Sequence, residues 1–220
     1  MAAAIRRLDL SERDSVELSA AGSAGDIIVA AAAVVLALIG IAGTAPEVAA
    51  GCTTVAIGVA FLFEGGAIGA RFLRSIRQND EDSLTRGDVL GGLTADLVAG
   101  IAGIVLGSLA LMGVLPQPLL GTAVLVYGAA LLLGCAALVH ATVTMHSGVP
   151  EPSPGIDAAL LAAGGQLVLG LVALALGSLA LLGTATQTLT LIALLLVAGA
   201  EIGSGFAIGS KMLRLLRAPA

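Results

Sequence analysis

The chain has 220 residues, of which 58% are hydrophobic and only 11% are charged. A soluble domain carries about 25% charged residues, so a water-soluble fold of this composition would leave too much apolar surface in contact with water. The net charge of −5 excludes the basic surface that nucleic-acid binding requires. Composition therefore predicts a membrane protein whose solvent is the lipid bilayer.

Residues 1–25 are predicted to form a cytoplasmic segment ahead of the first membrane span. Charged residues occur along it from Arg6 to Glu17, before any apolar run. This order differs from the short basic and then apolar layout of a cleaved signal peptide. The segment is therefore expected to stay with the mature chain.

The next segment, residues 26–75, is predicted to be a transmembrane helical hairpin. An apolar run follows Asp26, a tight break comes at Gly43–Glu47, and a second apolar run ends in basic residues. A helix crosses the bilayer with about 20 apolar residues, so each run is long enough for one span.

The hairpin pattern returns twice, at residues 96–146 and 166–217, after predicted cytoplasmic loops at 76–95 and 147–165. Leu97–Gly113 and Leu167–Gly183 are identical at 10 of 17 positions. The second segment begins 70 residues after the first. We call this distance of 70 residues one period. Self-similarity at a fixed period indicates a repeat architecture. The fold class is predicted to be all-α transmembrane, with six helices as three tandem 70-residue helical-hairpin repeats in a pseudo-threefold bundle. The predicted spans are 26–44, 49–70, 96–114, 119–140, 166–183 and 188–210.

Two local signals refine these elements. Ser153 followed by Pro154 is typical of a helix N-cap and a first-turn proline. The glycines Gly100, Gly103 and Gly107 form a ridge of small residues on the third span, and such ridges let helices approach closely in lipid.

The basic residues predict the orientation of the chain. All ten lie in the N-terminal segment, between the second and third spans, or after the sixth span, and the hairpin tips carry none. The positive-inside rule then places both termini and both long loops in the cytoplasm. A multi-pass membrane protein is expected.

Ionisable groups inside a bilayer are costly and are functional candidates by default. Glu64 and Glu201 lie within the predicted spans, and Glu201 is the deepest, about 22 Å from its hairpin tip at 1.5 Å per residue. Interfacial positions on the same half are expected for four further polar residues: Asp26, Asp96, Gln166 and His140.

Two interpretations of these six residues stay open. A buried carboxyl can hold a proton near neutral pH, which suits a proton relay or an ion site. Alternatively, the acids reach the interface or stabilise helices, because Asp26 and Asp96 lie at the predicted N-terminal ends of spans, where the helix dipole favours an anion.

The sequence predicts no enzyme, no cofactor and no metal site. It contains no nucleophile paired with a base, no HExxH motif and no phosphate-binding glycine loop in a strand context. Cys52 and Cys135 each lie in an apolar run, far from any Cys or His cluster, and are expected to be small buried side chains.

The second hairpin, GIVLGSLALMGVLPQPLLGTAVLVYGAALLLGCAALV at Gly103–Val139, resembles the HdeD-like short-repeat bacterial membrane proteins. The resemblance implies six spans built from repeats, an inner-membrane location and, for the family's namesake, a link to acid resistance. It supplies no catalytic residues. The third hairpin departs from the pattern because Thr184–Thr186 replaces the proline at the tip.

Three functions therefore compete. The first is a non-catalytic inner-membrane protein of acid or stress tolerance. The second is a small channel or transporter that moves protons or a small solute by means of Glu64 and Glu201. The third is an accessory subunit of a larger membrane complex. The expected partners are the lipid bilayer and, for an assembled form, a second copy or another membrane protein, with no nucleic acid.

Overall fold

The computed structural model describes the backbone of residues 25–77, 83–146, 154–183 and 186–217. It describes the side chains of most residues in 25–66, 94–136, 161–183 and 186–204. The described chain is helical apart from its turns. We number the helices α1 (Gly25–Ile41), α2 (Pro46–Arg77), α3 (Ser83–Leu111), α4 (Pro116–His146), α5 (Pro154–Leu181) and α6 (Thr186–Arg217).

The prediction of a multi-pass membrane protein is confirmed. In the described residues, five helices, α2 to α6, contain segments long and apolar enough to cross a bilayer. The described part of α1 is also apolar, but at Gly25–Ile41 it is shorter than those five segments. The membrane-crossing segments of α2 to α6 are Pro46–Gly66, Thr94–Leu111, Pro116–Ala136, Ala163–Leu181 and Thr186–Ser204.

Two helices begin earlier than the predicted spans. Helix α3 begins at Ser83 and α5 begins at Pro154, so residues 83–95 and 154–165, predicted as loop, are helical. Hydropathy predicts the part of a helix that meets lipid, so it did not locate these first turns. Pro154 is the first residue of α5, as the sequence predicted.

Each hairpin turn is built on a glycine with positive φ. Gly43, Gly113 and Gly183 have φ values of 90°, 82° and 86°. Residues other than glycine rarely adopt such positive values. In the first turn, the N–H of Gly43 donates to Gly40 and the N–H of Thr44 donates to Ile39. This pair of bonds is a Schellman motif, which satisfies the last carbonyls of α1. The next helix then starts at a proline, Pro46.

Helices α2, α4 and α6 contact one another and form the centre of the bundle. In their apolar segments, 56%, 50% and 44% of residues are buried, against 33% in α3 and 28% in α5. The odd-numbered helices therefore present more of their surface to lipid, and the even-numbered helices hold the core.

The core is closed by an aromatic pair on the central helices. The rings of Phe61 in α2 and Tyr127 in α4 stack with centroids 5.2 Å apart. The Tyr127 hydroxyl donates a hydrogen bond of 2.6 Å to the backbone carbonyl of Thr54. A Cβ at Gly103 would collide with that hydroxyl. Gly103 therefore leaves the space that the tyrosine occupies.

We call the contact between one hairpin and the next a seam. In the α2–α3 seam, a Cβ at Gly58 would lie 2.7 Å from the carbonyl oxygen of Gly100, and the reverse distance is also 2.7 Å. In the α4–α5 seam, the equivalent distances between Gly128 and Gly170 are both 3.0 Å. Both seams thus bring helix backbone against helix backbone, which only glycine allows.

We predict that Gly100→Ala destabilises the protein, because the added methyl would meet the backbone of Gly58 rather than a side chain that can move aside. Overpacking of this kind costs about 1–3 kcal/mol. Reversible unfolding in mixed detergent micelles measures the loss. Gly66→Ala is the matched control, because a Cβ there meets nothing within 4 Å and helix propensity should stabilise it by up to about 1 kcal/mol. Equal stability of the two variants would contradict the seam geometry.

Candidate functional site: a buried carboxyl cluster

Four acidic side chains converge at the end of the bundle opposite the hairpin tips: Asp26 of α1, Glu64 of α2, Asp96 of α3 and Glu201 of α6. Glu201 interacts electrostatically with each of the other three. Asp96 likewise interacts with Glu64 and Asp26. We call these four residues the carboxyl cluster. The structure thus brings together four of the six polar residues that the sequence singled out.

Both aspartates are buried in the protein. Asp26 is 2% exposed and Asp96 is 5% exposed. The helix-dipole interpretation is wrong for Asp96, because α3 begins at Ser83 and Asp96 follows more than three turns later. Small neighbours leave room for it instead: a Cβ at Gly65 would lie 3.4 Å from the Asp96 Cβ, and one at Gly134 would lie 4.0 Å from its Oδ1.

Glu201 is the most enclosed member of the cluster. It is 0% exposed. Neither of its carboxyl oxygens meets the full geometry of a hydrogen bond, and the Glu64 carboxyl lies close enough to share a proton with it. Glu64, which is half-buried, lies beside it and also beside the Ser204 side chain. The Ser204 hydroxyl donates to the backbone carbonyl of Glu201 at 2.9 Å, so it does not serve the Glu201 carboxyl.

A second orphaned group faces the same cluster. Oδ1 of Asp26 is buried and also lacks a hydrogen-bond partner. Buried polar atoms are nearly always hydrogen-bonded, and an unpartnered one costs about 1–3 kcal/mol. Three such oxygens within one cluster therefore lower the stability of the fold. They distinguish the carboxyl cluster from the rest of the core, which is mostly apolar.

The position of Glu201 within the core is also unusual. Counting back one and two periods from Glu201 leads to Leu131 and Phe61, which are 2% and 1% exposed. In α2 and α4 this position is thus filled by a large apolar side chain, and in α6 by an acid. The repeat in the sequence carries this signal, because the counterparts of Glu201 can be found by counting alone.

Of the two remaining candidates, the structure describes the side chain of Gln166 alone. Gln166 is buried in α5, 9% exposed, and among the described side chains no interaction ties it to a carboxyl. Like Asp96, it lies well inside its helix rather than at the start. His140 falls within α4, but its side chain is outside the described residues.

The described His, Cys, Asp and Glu side chains include no group of three or more arranged to hold a metal ion. Cys52 is half-buried and Cys135 is buried, and both are free thiols. The carboxyl cluster is therefore best treated as a set of acids that interact through their charges and protons.

The opposite end of the bundle carries a small depression between the hairpin tips, and its accessible lining is mostly apolar. Its volume is about 10 Å³, which is enough for roughly one water molecule. Among the residues that line it are Glu47, Gln117 and Gln187, one from each hairpin.

Comparisons with known proteins returned no relative. No protein-family model matches the chain, and neither the curated proteins nor the solved structures include a significant match.

We predict that Glu201→Leu stabilises the folded protein, because leucine is the residue found at the same place in α4 and it has no oxygen to leave unpartnered. Removing the orphaned carboxyl should raise the free energy of unfolding by about 1–3 kcal/mol. Reversible unfolding in detergent mixtures at neutral pH measures the change. A less stable variant would mean that the carboxyl makes a favourable interaction. Leu131→Met is a control for general sensitivity of this layer, with an expected change below about 1.5 kcal/mol.

Proposed function

We propose that this protein is a non-catalytic, multi-pass protein of a bacterial inner membrane that takes up protons at its carboxyl cluster and serves in acid or stress tolerance. The observation that carries the proposal is Glu201, which is fully buried, has two unpartnered oxygens and lies among three other carboxyls.

Charge balance supports protons as the ligand. Taking one carboxylate out of water costs several kcal/mol, and four like charges in one place would add their mutual repulsion. None of the described side chains is basic, and the described acids do not have metal-site geometry. Protons neutralise carboxyls without further ligands, so they are the simplest occupant of the carboxyl cluster.

The proposed topology gives the protons a source. The positive-inside rule assigns the end of the bundle that carries the cluster to the cytoplasm. Glu64, the half-buried member, is the natural first acceptor there. A cluster that loads when the cytoplasm acidifies fits a role in acid tolerance, which is also what the resemblance to HdeD-like proteins implies.

The threefold arrangement of the hairpins is part of the proposal. Two observations support it: the turn glycines recur once per period with similar φ, and α2, α4 and α6 contact one another at the centre. In such a bundle, Ile57, Tyr127 and Val197 would form one layer and Phe61, Leu131 and Glu201 the next. All six are at most 2% exposed.

Proton uptake by the purified protein tests the proposed function. In lipid nanodiscs, an acid pulse followed with a pH-sensitive dye should show protons bound by the wild type, with a matching rise in the infrared band of protonated carboxyls. Glu201→Gln should remove part of both signals. Glu47→Gln, which alters the exposed acid at a hairpin tip, should leave the infrared band unchanged. Loss of equal size in both variants, or no protonated band in the wild type, would refute the proposal.

The physiological role has its own test. Cells that lack the gene should survive acid challenge less well, and the wild-type gene should restore survival better than the Glu201→Gln variant does. Equal survival of the deletion strain and its parent would rule out acid tolerance while leaving proton uptake untouched.

A proton or small-solute transporter is the second candidate, favoured by one observation. The tip depression is lined by α2, α4 and α6, the same central helices among which Glu201 is buried, so a proton or solute would have to pass between these three helices. Proton flux into liposomes that is abolished by Glu201→Gln would support transport. Proton uptake without flux would show that the protein binds protons but does not transport them.

A further inference from the structure

We infer that the α6–α1 seam is where the bundle opens when the carboxyl cluster loses its protons, so that the proton load of the cluster sets the separation of these two helices. The inference rests on the proposed function and adds to it a movement of α1 relative to α6.

The α6–α1 seam lacks the glycine pairs that hold the other two seams together. The positions of Gly51 and Gly58 on α2 correspond, two periods later, to Leu191 and Ala198 on α6. Those of Gly100 and Gly107 on α3 correspond, one period earlier, to Ala30 and Ala37 on α1. Each replacement adds at least a methyl group, so the glycine-to-glycine backbone contacts of the other two seams have no counterpart at these positions. Packing between membrane helices depends on close approach, so this seam lacks a contribution that strengthens the α2–α3 and α4–α5 seams.

One glycine on α1 offsets this only in part. A Cβ at Gly40 would lie 2.8 Å from Cδ2 of Leu191, so Gly40 accommodates the leucine near the hairpin tips. The equivalent positions one and two periods later are Ala110 and Ala180. Leu191 and Gly40 therefore pack closely at the end of the seam near the hairpin tips. The less tightly packed half of the seam is the one that contains the carboxyl cluster.

The charges act across this looser half. All three unpartnered buried oxygens found among the described residues belong to Asp26 on α1 and Glu201 on α6, one residue on each side of the seam. Glu64 of α2 and Asp96 of α3 also face Glu201, and so does the Tyr127 hydroxyl of α4. Ser204 of α6, Gln166 of α5 and Cys135 of α4 are the other buried polar or titratable side chains that the structure describes at this end.

Deprotonation would therefore place like charges on both sides of the loosest contact in the bundle. Repulsion between charges is much stronger in a protein interior than in water. Separation of α1 from α6 relieves the repulsion and admits water to the carboxylates, whereas the backbone contacts of Gly58 with Gly100 and of Gly128 with Gly170 hold the other seams. Ala30 and Ala198, both 0% exposed, would become accessible.

Single-cysteine labelling tests the inference on the full chain in nanodiscs. In a Cys52→Ala, Cys135→Ala background, Ala30→Cys reports on the α6–α1 seam. Ala173→Cys is the matched control, because Ala173 in α5 is also 0% exposed and faces no cluster acid. N-ethylmaleimide is the probe, and the ratio of the two labelling rates cancels the ordinary pH dependence of a thiol.

The ratio should rise several-fold from about pH 6 to about pH 9, and the rise should disappear when Asp26→Asn and Glu201→Gln are introduced together. A ratio that stays constant in the charged protein overturns the inference whether or not the neutral variant folds. A rise that survives in the folded neutral variant overturns it as well. Proton uptake measured on the same nanodiscs separates the two ideas: uptake with a constant ratio refutes only the seam opening, whereas absence of uptake refutes the proposed function.

Discussion

Direct contact between helix backbones is the constraint on which the rest of this molecule depends. In lipid no hydrophobic force drives one helix against another, so packing must come from close approach. Gly58 against Gly100, and Gly128 against Gly170, supply it at two seams. Those contacts bring α2, α4 and α6 together at the centre, and the centre in turn encloses Phe61, Tyr127 and Glu201 away from both lipid and water.

The carboxyl cluster works against the packing that surrounds it. A core of this kind is most stable when every buried position is apolar, as Phe61 and Leu131 are in the layer of Glu201. Instead, the bundle carries an acid with two orphaned oxygens. Local features that oppose stability in this way are expected at functional sites. The small residues Gly65 and Gly134, which make room beside Asp96, show that the surrounding helices are shaped to admit the acids.

The sequence predicted the apolar runs and their breaks well because those follow from local chemistry. Gly43 ends a run just where positive φ is needed, and Pro154 begins a helix. The sequence did not predict that Asp96 would be enclosed, because enclosure depends on Gly65 and Gly134 from two other helices. Nor did it reveal the start of α3 at Ser83, since polar helical turns outside the bilayer leave no hydropathy signal.

The fit of Tyr127 to its surroundings has a consequence for how this chain could change over generations. The ring reaches from α4 to the Thr54 carbonyl in α2 and occupies space left by Gly103 in α3. In the first and third hairpins, Gly103 is replaced by Ala33 and Ala173, and Tyr127 by Ile57 and Val197. The middle hairpin therefore holds a matched pair that its neighbours lack. Because of this pair, the three hairpins are no longer equivalent, and exchanging the middle hairpin with either neighbour would separate Tyr127 from the Thr54 carbonyl.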